Sequence, residues 1–354
     1  MTVSGREGSG DGSVTSPAPA RVTMADIARE AGVSTPTVSK VLNGHAQVAP
    51  ETRARVEELL RRHNYLRRRP RSRDRVGLVD LVIREVDSLW AGEVMQGVQR
   101  EAYQYDAGVV VTATHGGAAE TLRWLENLSK RGSDGVILAV TDLTAAQRRH
   151  VRSLGVPLAV VDPVGSPDPA IPSVGATNWQ GGRDATEHLI ALGHRRIGIL
   201  QGSAGTLSAR ARLDGYRSAL EAAGITVDPA LIQPGDFYYT TGCSGMERLL
   251  ALRRPPTAVF AGSDLMALGA YEALWQAGLR VGQDMSVVGF DDVPNAQWTA
   301  PPLTTVRQPL SEMGALAARI VLRGADAVLP GGTLRMELAT RLIVRQSTGP
   351  APGA

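Results

Sequence analysis

Cysteine is almost missing from this chain: Cys243 is the only one among 354 residues. A single thiol excludes an intrachain disulfide and a cysteine-rich metal site, and it suits a reducing compartment. Lysine is nearly as scarce, with Lys40 and Lys130 alone, so positive charge is carried by arginine. No apolar run is long enough to span a bilayer. The net charge is only +3, so bulk charge does not announce a nucleic-acid partner. No nucleophile elbow, zinc-binding helix motif or phosphate-binding loop occurs. The glycines of GSGDGS near the start have a tempting spacing, but no strand precedes them. Asp264, Asp291 and Asp292 are the one set that resembles an acid and base pair, and alone they do not make an enzyme. We therefore expect no catalytic residues, no metal and no cofactor. Residues 1–20 are rich in Gly, Ser, Pro and Ala and have no apolar core. They read as a disordered leader rather than a secretory signal, and the protein reads as cytoplasmic.

What is present is organised in segments. Residues 21–66 read as consecutive short helices. Residues 67–75, RRRPRSRDR, concentrate basic charge around one proline. From Val76 apolar runs alternate with amphipathic stretches. Strands are expected at 76–83, 109–112, 135–140, 158–161, 196–200, 258–261 and 286–290. Helices are expected at 91–105, 118–130, 144–154, 181–192, 207–223, 240–251 and 263–277. Such alternation predicts parallel sheets covered on both faces, and the number of units favours two doubly wound lobes over one sheet. No internal repeat is strong enough to assign, and nothing is assigned to an element beyond Phe290.

The N-terminal stretch carries the sharpest signal. Thr23 with Asp26 suits a capping box, Ile27, Ala28 and Ala31 give a buried stripe, and Gly32 suits a left-handed stop. Val33 fills the corner, and Ser34 caps the next helix, with Val38, Val41 and Leu42 on its inner side. A third helix follows Pro50, through Val56, Leu59 and Leu60. Helix, tight glycine turn, helix is the helix-turn-helix pattern. The outer face of the second helix holds Thr35, Pro36, Thr37, Ser39 and Lys40, short and polar or basic as a major groove requires.

The string ADIAREAGVSTPTVSKVLNG, followed by Asn64 and Tyr65, resembles the N-terminal motif of the LacI/GalR (lactose/galactose repressor) family. TEHLIALGHRRIGIL, ARLDGYRSALEAAG, PTAVFAGSDLMALGAYEAL, SVVGFDD and PPLTTVRQ follow in the family's order. The resemblance implies an all-α helix-turn-helix domain followed by a two-lobe α/β periplasmic-binding-protein-like core with parallel sheets. It implies three crossovers near residues 193, 306 and 329. Lobe 1 would then hold 76–193 and 306–328, lobe 2 would hold 194–305 and 329–346, and 347–354 would be a tail. It also implies a homodimer that represses transcription from double-stranded operator DNA under control of a small molecule. Carried over by position, Thr35, Pro36 and Lys40 face base edges, and Ser34, Ser39, Asn43 and Thr52 touch phosphates. The family usually has a longer linker that forms a hinge helix. Here only LRRRPRSRDR separates Tyr65 from Val76, with Pro70 in the middle. We expect no hinge helix, and instead an extended arm in which Arg67, Arg68 and Arg69 contact phosphates.

Two parallel-sheet lobes put their strand ends at a shared crevice, where ligands bind. Carboxylates, an arginine and aromatics at those ends suit a sugar, since rings offer apolar faces and charged forks pair with hydroxyls. Arg210 and Asp291 are the first candidates, because they also fall where the family contacts its effector. Trp90, Trp179, Phe237, Asp264 and Gln308 come next. Trp90 and Phe237 are equally readable as core, and Asp264 and Asp292 as helix caps. A neutral mono- or oligosaccharide is the default effector, with a purine or a phosphoprotein partner as the family's alternatives. A transport-type sugar-binding protein is disfavoured by the helix-turn-helix.

Overall fold

The computed structural model describes residues 23–42, 48–62, 76–140, 143–165, 168–324, 328 and 335–352. They fall into two units, one within residues 1–72 and one within 73–354.

The first unit holds α1 (Met24–Ala31), α2 (Thr35–Leu42) and α3 (Pro50–Arg62). Asp26 N donates to Thr23 Oγ at 3.3 Å and Thr23 N to the Asp26 carboxylate at 2.9 Å, closing the capping box. Gly32 ends α1 at φ 65°, a conformation that costs a glycine little. Ile27, Ala28, Ala31, Val38, Val41, Val56 and Leu59 are buried together, and Val33 packs against them. Each buried Val, Ile or Leu contributes about 1.5–3 kcal/mol, which fixes the crossing of three helices too short to stand alone.

The second unit contains two six-stranded sheets. The first is ordered β11-β5-β4-β3-β1-β2, with β1 (Leu78–Ile83), β2 (Gly108–Ala113), β3 (Gly135–Ala139), β4 (Leu158–Val161), β5 (Ser173–Ala176) and β11 (Arg335–Leu338), all parallel. The second is ordered β12-β10-β9-β8-β6-β7, with β6 (Ile197–Ser203), β7 (Ile232–Gly235), β8 (Ala258–Ala261), β9 (Ser286–Asp291), β10 (Thr304–Arg307) and β12 (Arg341–Ile343). Only β12 runs antiparallel to its neighbour there. Apart from the exchanged last strands, both lobes share one winding, which is an internal repeat of structure that the sequence does not disclose. The helices are α4 (Leu89–Gln104), α5 (Ala118–Arg131), α6 (Ala145–Ser153), α7 (Asn178–Ala191), α8 (Leu207–Ala222), α9 (Tyr239–Leu250), α10 (Asp264–Gln276) and α11 (Leu310–Arg323).

The lobe boundaries differ from those expected. α7 belongs to the second lobe: Ala185 and Leu189 are buried with Ile197, Tyr216, Phe290 and Val306. The first crossover is therefore at Thr177, one helix before 193, because the short β5 closes the first sheet unannounced. β10 stays in the second lobe, so the second crossover is Gln308–Pro309 rather than 306. β11 returns to the first sheet, so the third is Ala339–Thr340 rather than near 329. Residues 347–352 are no loose tail. Ser347 is fully buried, and its Oγ donates to Val287 O at 2.6 Å while accepting Thr304 N at 2.7 Å.

Candidate functional sites

The cleft lies where the C-terminal ends of both sheets' parallel strands meet. Val164, beyond β4, bridges to Thr206, beyond β6, and Gly165 N reaches Gly205 O at 3.3 Å. At its floor sits Arg212, 4% exposed. It lies on the inner face of α8 with Ser208, Ala209, Leu213 and Tyr216. α7 and α8 cross unusually closely: a Cβ on Gly182 would stand 2.3 Å from Arg212 O, and one on Gly215 2.1 Å from Trp179 O. Glycine at both positions therefore brings Asn178 against Arg212.

The guanidinium is held on all sides. Its Nε donates to Asn178 Oδ1 at 2.8 Å and its Nη1 to Gly262 O at 2.5 Å. Its centre lies 3.7 Å from the Phe290 ring centroid and 5.3 Å from that of Phe237, in cation–π contact. Nη1 stands 3.7 Å from Asp291 Oδ1, which also accepts Gln308 Nε2 at 2.7 Å. Asp162, at the end of β4, faces Arg212 and Ser208 from the first lobe. Asp162, Phe237 and Asp291 all have positive φ, at 50°, 77° and 117°. Non-glycine residues tolerate that backbone only where surroundings impose it, and such residues gather at functional sites.

Burial dominates the electrostatics. It pushes the Asp291 carboxyl up to about 7, against the pull of Arg212 and the Gln308 hydrogen bond. It raises Asp162 and lowers Arg212 in the same way. Gln308 Oε1 is buried and has no hydrogen-bond partner among the described residues. The floor thus offers one fixed guanidinium beside several acceptors. That composition suits neutral hydroxyl pairs.

Asp291, Phe237 and Gln308 are brought together as the sequence suggests. The cluster's arginine is Arg212, not Arg210. Two residues apart on a helix is about 200° of rotation, and Arg210 is exposed. Asp264 is fully buried, with its oxygens taken by Thr305 Oγ at 2.5 Å and Val293 N at 3.0 Å, so it braces the loop after β9. Trp179 is 40% exposed, with the Arg183 guanidinium 5.6 Å from its ring centroid, and stands off the floor. Trp90 is half-buried against the first lobe's core. Asp292, too, caps no helix: it pairs with Arg307 at 2.6 Å and Arg345 at 2.7 Å. Asp162 follows a strand and Asn178 opens a helix, so their places at the crevice are legible from position; Arg212 falls on the apolar stripe of its helix, and Ser208 carries no signal of its own.

In the first unit Thr35, Pro36 and Lys40 are exposed along α2. Ser34 is exposed at its start, accepting Thr37 N at 3.3 Å. Ser39 and Thr52 are half-buried. Asn43, Arg67, Arg68 and Arg69, and with them the linker and its expected lack of a helix, lie outside the described residues. Among the described residues no group of three His, Cys, Asp or Glu side chains is placed to hold a metal, and no helix is long and apolar enough to cross a membrane.

The model of bacterial regulatory proteins of the lacI family matches residues 23–68, and that of the periplasmic binding protein-like domain matches 186–348. The ribose operon repressor of Escherichia coli (strain K12) is 35% identical over 306 residues, 85% of this chain and 92% of that protein. A solved complex of the transcriptional regulator CelR with cellobiose is 34% identical, with a TM-score of 0.71 over 92% of this chain and 100% of that one. The lac repressor dimer bound to operator and an anti-inducer is 29% identical, with a TM-score of 0.67 over 93% of this chain and 99% of that one. The chain belongs to the LacI family of bacterial regulatory proteins. It is a transcriptional regulator with an N-terminal helix-turn-helix domain and a periplasmic-binding-protein-like core.

Proposed function

We propose that this protein is a cytoplasmic homodimeric repressor that binds operator DNA through α2 and is switched by a neutral sugar held over Arg212. The observation that carries the reading is the buried Arg212–Asp291–Asp162 cluster spanning the two lobes. One planar fork and adjacent carboxylates match a vicinal hydroxyl pair, and the Phe237 ring offers an apolar face beside them. The named ligands of relatives, ribose in one repressor's name and cellobiose in one complex, support the same class. For the dimer, a groove of about 830 Å³ on the second lobe, lined by Leu268, Tyr271, Trp275 and Pro301, offers a second copy an apolar face, and Trp275 is 75% exposed. The arm formed by Arg67, Arg68 and Arg69 belongs to the same proposal as a set of phosphate contacts.

A thermal-shift screen tests it with D-ribose, cellobiose, other neutral sugars, a sugar phosphate and a nucleobase. A ligand at about 100 times its Kd adds ~2.7 kcal/mol of stability. Stabilisation by a neutral sugar is expected. Stabilisation by the nucleobase or the sugar phosphate alone contradicts the sugar reading. Operator binding is tested with Lys40→Ala, expected to cost ~1–3 kcal/mol on specific DNA and little on random DNA. An unchanged ratio of the two removes Lys40 as a base reader.

A further inference from the structure

The two adjacent carboxylates at the end of β9 point to different tasks. Asp291 turns into the cluster around Arg212. Asp292 turns away, and its side chain is 1% exposed. It accepts Arg307 Nε at 2.6 Å and Arg345 Nη2 at 2.7 Å. Arg307 is the last residue of β10, directly before the second crossover at Gln308. Arg345 follows β12, the strand that leaves the third crossover, and it also donates to Leu303 O at 2.7 Å. Both strands of this antiparallel pair, Arg307 against Arg341, are thus tied to one carboxylate. Asp291 reaches the same crossover from the other side, since its carbonyl accepts Gln308 N at 3.2 Å and its carboxylate accepts Gln308 Nε2. Asp291 and Asp292 have φ of 117° and 56°, so two consecutive non-glycine residues are held in left-handed backbone. Local strain of this kind is found where a segment switches.

We propose that Asp292 is a positioning residue for the response to ligand: it clamps the strands flanking two of the three crossovers, so that a shift of Asp291 is passed to the hinge between the lobes. The proposal rests on the Arg212 cluster being the ligand site. Asp292 touches no ligand itself. Its removal uncouples the hinge and leaves the floor standing.

The test measures lobe separation and response together. Spin labels are placed on Glu126→Cys in α5 and Glu221→Cys in α8, in a Cys243→Ser background, with labelled protein diluted into unlabelled full-length chain. Asp292→Asn and Arg307→Gln are compared with the parent, with D-ribose and cellobiose as probes. The parent is expected to show one narrow distance population, and both variants a broad one. Arg307→Lys, which keeps the charge, is expected to narrow it again. The ratio of operator affinities with and without sugar is expected to fall by about fivefold or more in Asp292→Asn and Arg307→Gln, with sugar affinity near the parent's. Parent-like distance distributions in both variants overturn the clamp, as does a retained affinity ratio. If neither sugar shifts the parent, the sugar reading fails, and the ligand-free distributions still decide the clamp.

Discussion

The two lobes share one winding and place their buried charges differently. In the first lobe Asp80 is fully buried on β1, where it accepts Trp124 Nε1 at 3.0 Å and pairs with Arg131. Glu101 of α4 grips Arg319 of α11 through two bonds of 2.8 Å. Both sets tie elements of that lobe to each other. In the second lobe Arg212, Asp264 and Asp291 crowd the strand ends at the cleft. The first lobe's share of that cluster is Asp162. The difference shows that most of the floor is built within one lobe, and that the other lobe contributes the Asp162 carboxylate to it. Holding a ligand and reporting it are then separable properties.

Breaking the assembled side has the largest expected effect. Arg212→Ala leaves Asp291 and Asp162 facing each other without their cation, and removing one partner of a buried charged set costs ~3–5 kcal/mol. Denaturant unfolding is expected to show that loss in full. A drop within 1 kcal/mol means the three groups are not a unit, by the ordinary scale of mutational effects.

Asp162→Asn probes the cluster from the other lobe. It is expected to weaken sugar binding by ~1–3 kcal/mol, as for an unpaired buried hydrogen-bonding group, while unfolding stays near the parent's. A stability loss as large as that of Arg212→Ala removes the asymmetry between the lobes.

pH gives a smaller effect with a definite sign. Burial raises Asp291 from 3.8 to about 7. Between those values the folded chain keeps a proton that the unfolded chain has released. The contribution to stability is therefore full below about 4, falls as pH rises to about 7, and is flat above. Sugar hydroxyls donate to the ionised carboxylate, so sugar affinity runs the other way. It is level above about pH 7 and falls by up to about tenfold per unit below it. Titrations on both sides of pH 7 check this, and Asp291→Asn is expected to flatten both curves. A flat profile in the parent means that ligand contact does not depend on this carboxylate's charge.

Much of this was readable from residues alone, and the rest failed for physical reasons. The capping box at Thr23, the Gly32 stop and the strands at Leu158–Val161 and Ala258–Ala261 follow from local chemistry and short apolar runs. β5 and β7, SVGA and IQPG, are four residues each and carry glycine or proline, so no alternation shows. Missing β5 shifts the first crossover by a helix. α11 is different: Leu310, Met313, Ala317, Ile320 and Val321 repeat with helical spacing, and that signal stands in the sequence. At the site, strand ends identify Asp291 and Phe237 because the fold class alone puts them at the crevice. They cannot separate Asp264, whose oxygens are consumed by Val293 and Thr305, from a carboxylate that faces a ligand. Motif position alone does not separate Arg210 from Arg212, but helical phase does: a charge in step with Ala209, Leu213 and Tyr216 is buried.

That pair of arginines also distinguishes the cleft floor from the exposed face of α8. A calorimetric titration sets Arg210→Lys against Arg212→Lys, using the sugar that stabilises the parent. Lysine keeps the charge and loses the planar fork. Arg210→Lys is expected to bind like the parent, with solvent-exposed changes staying within about 0.5 kcal/mol. Arg212→Lys is expected to show no measurable heat of binding. Parent-like binding by Arg212→Lys, or its loss in Arg210→Lys, contradicts a ligand site built on the Arg212 floor.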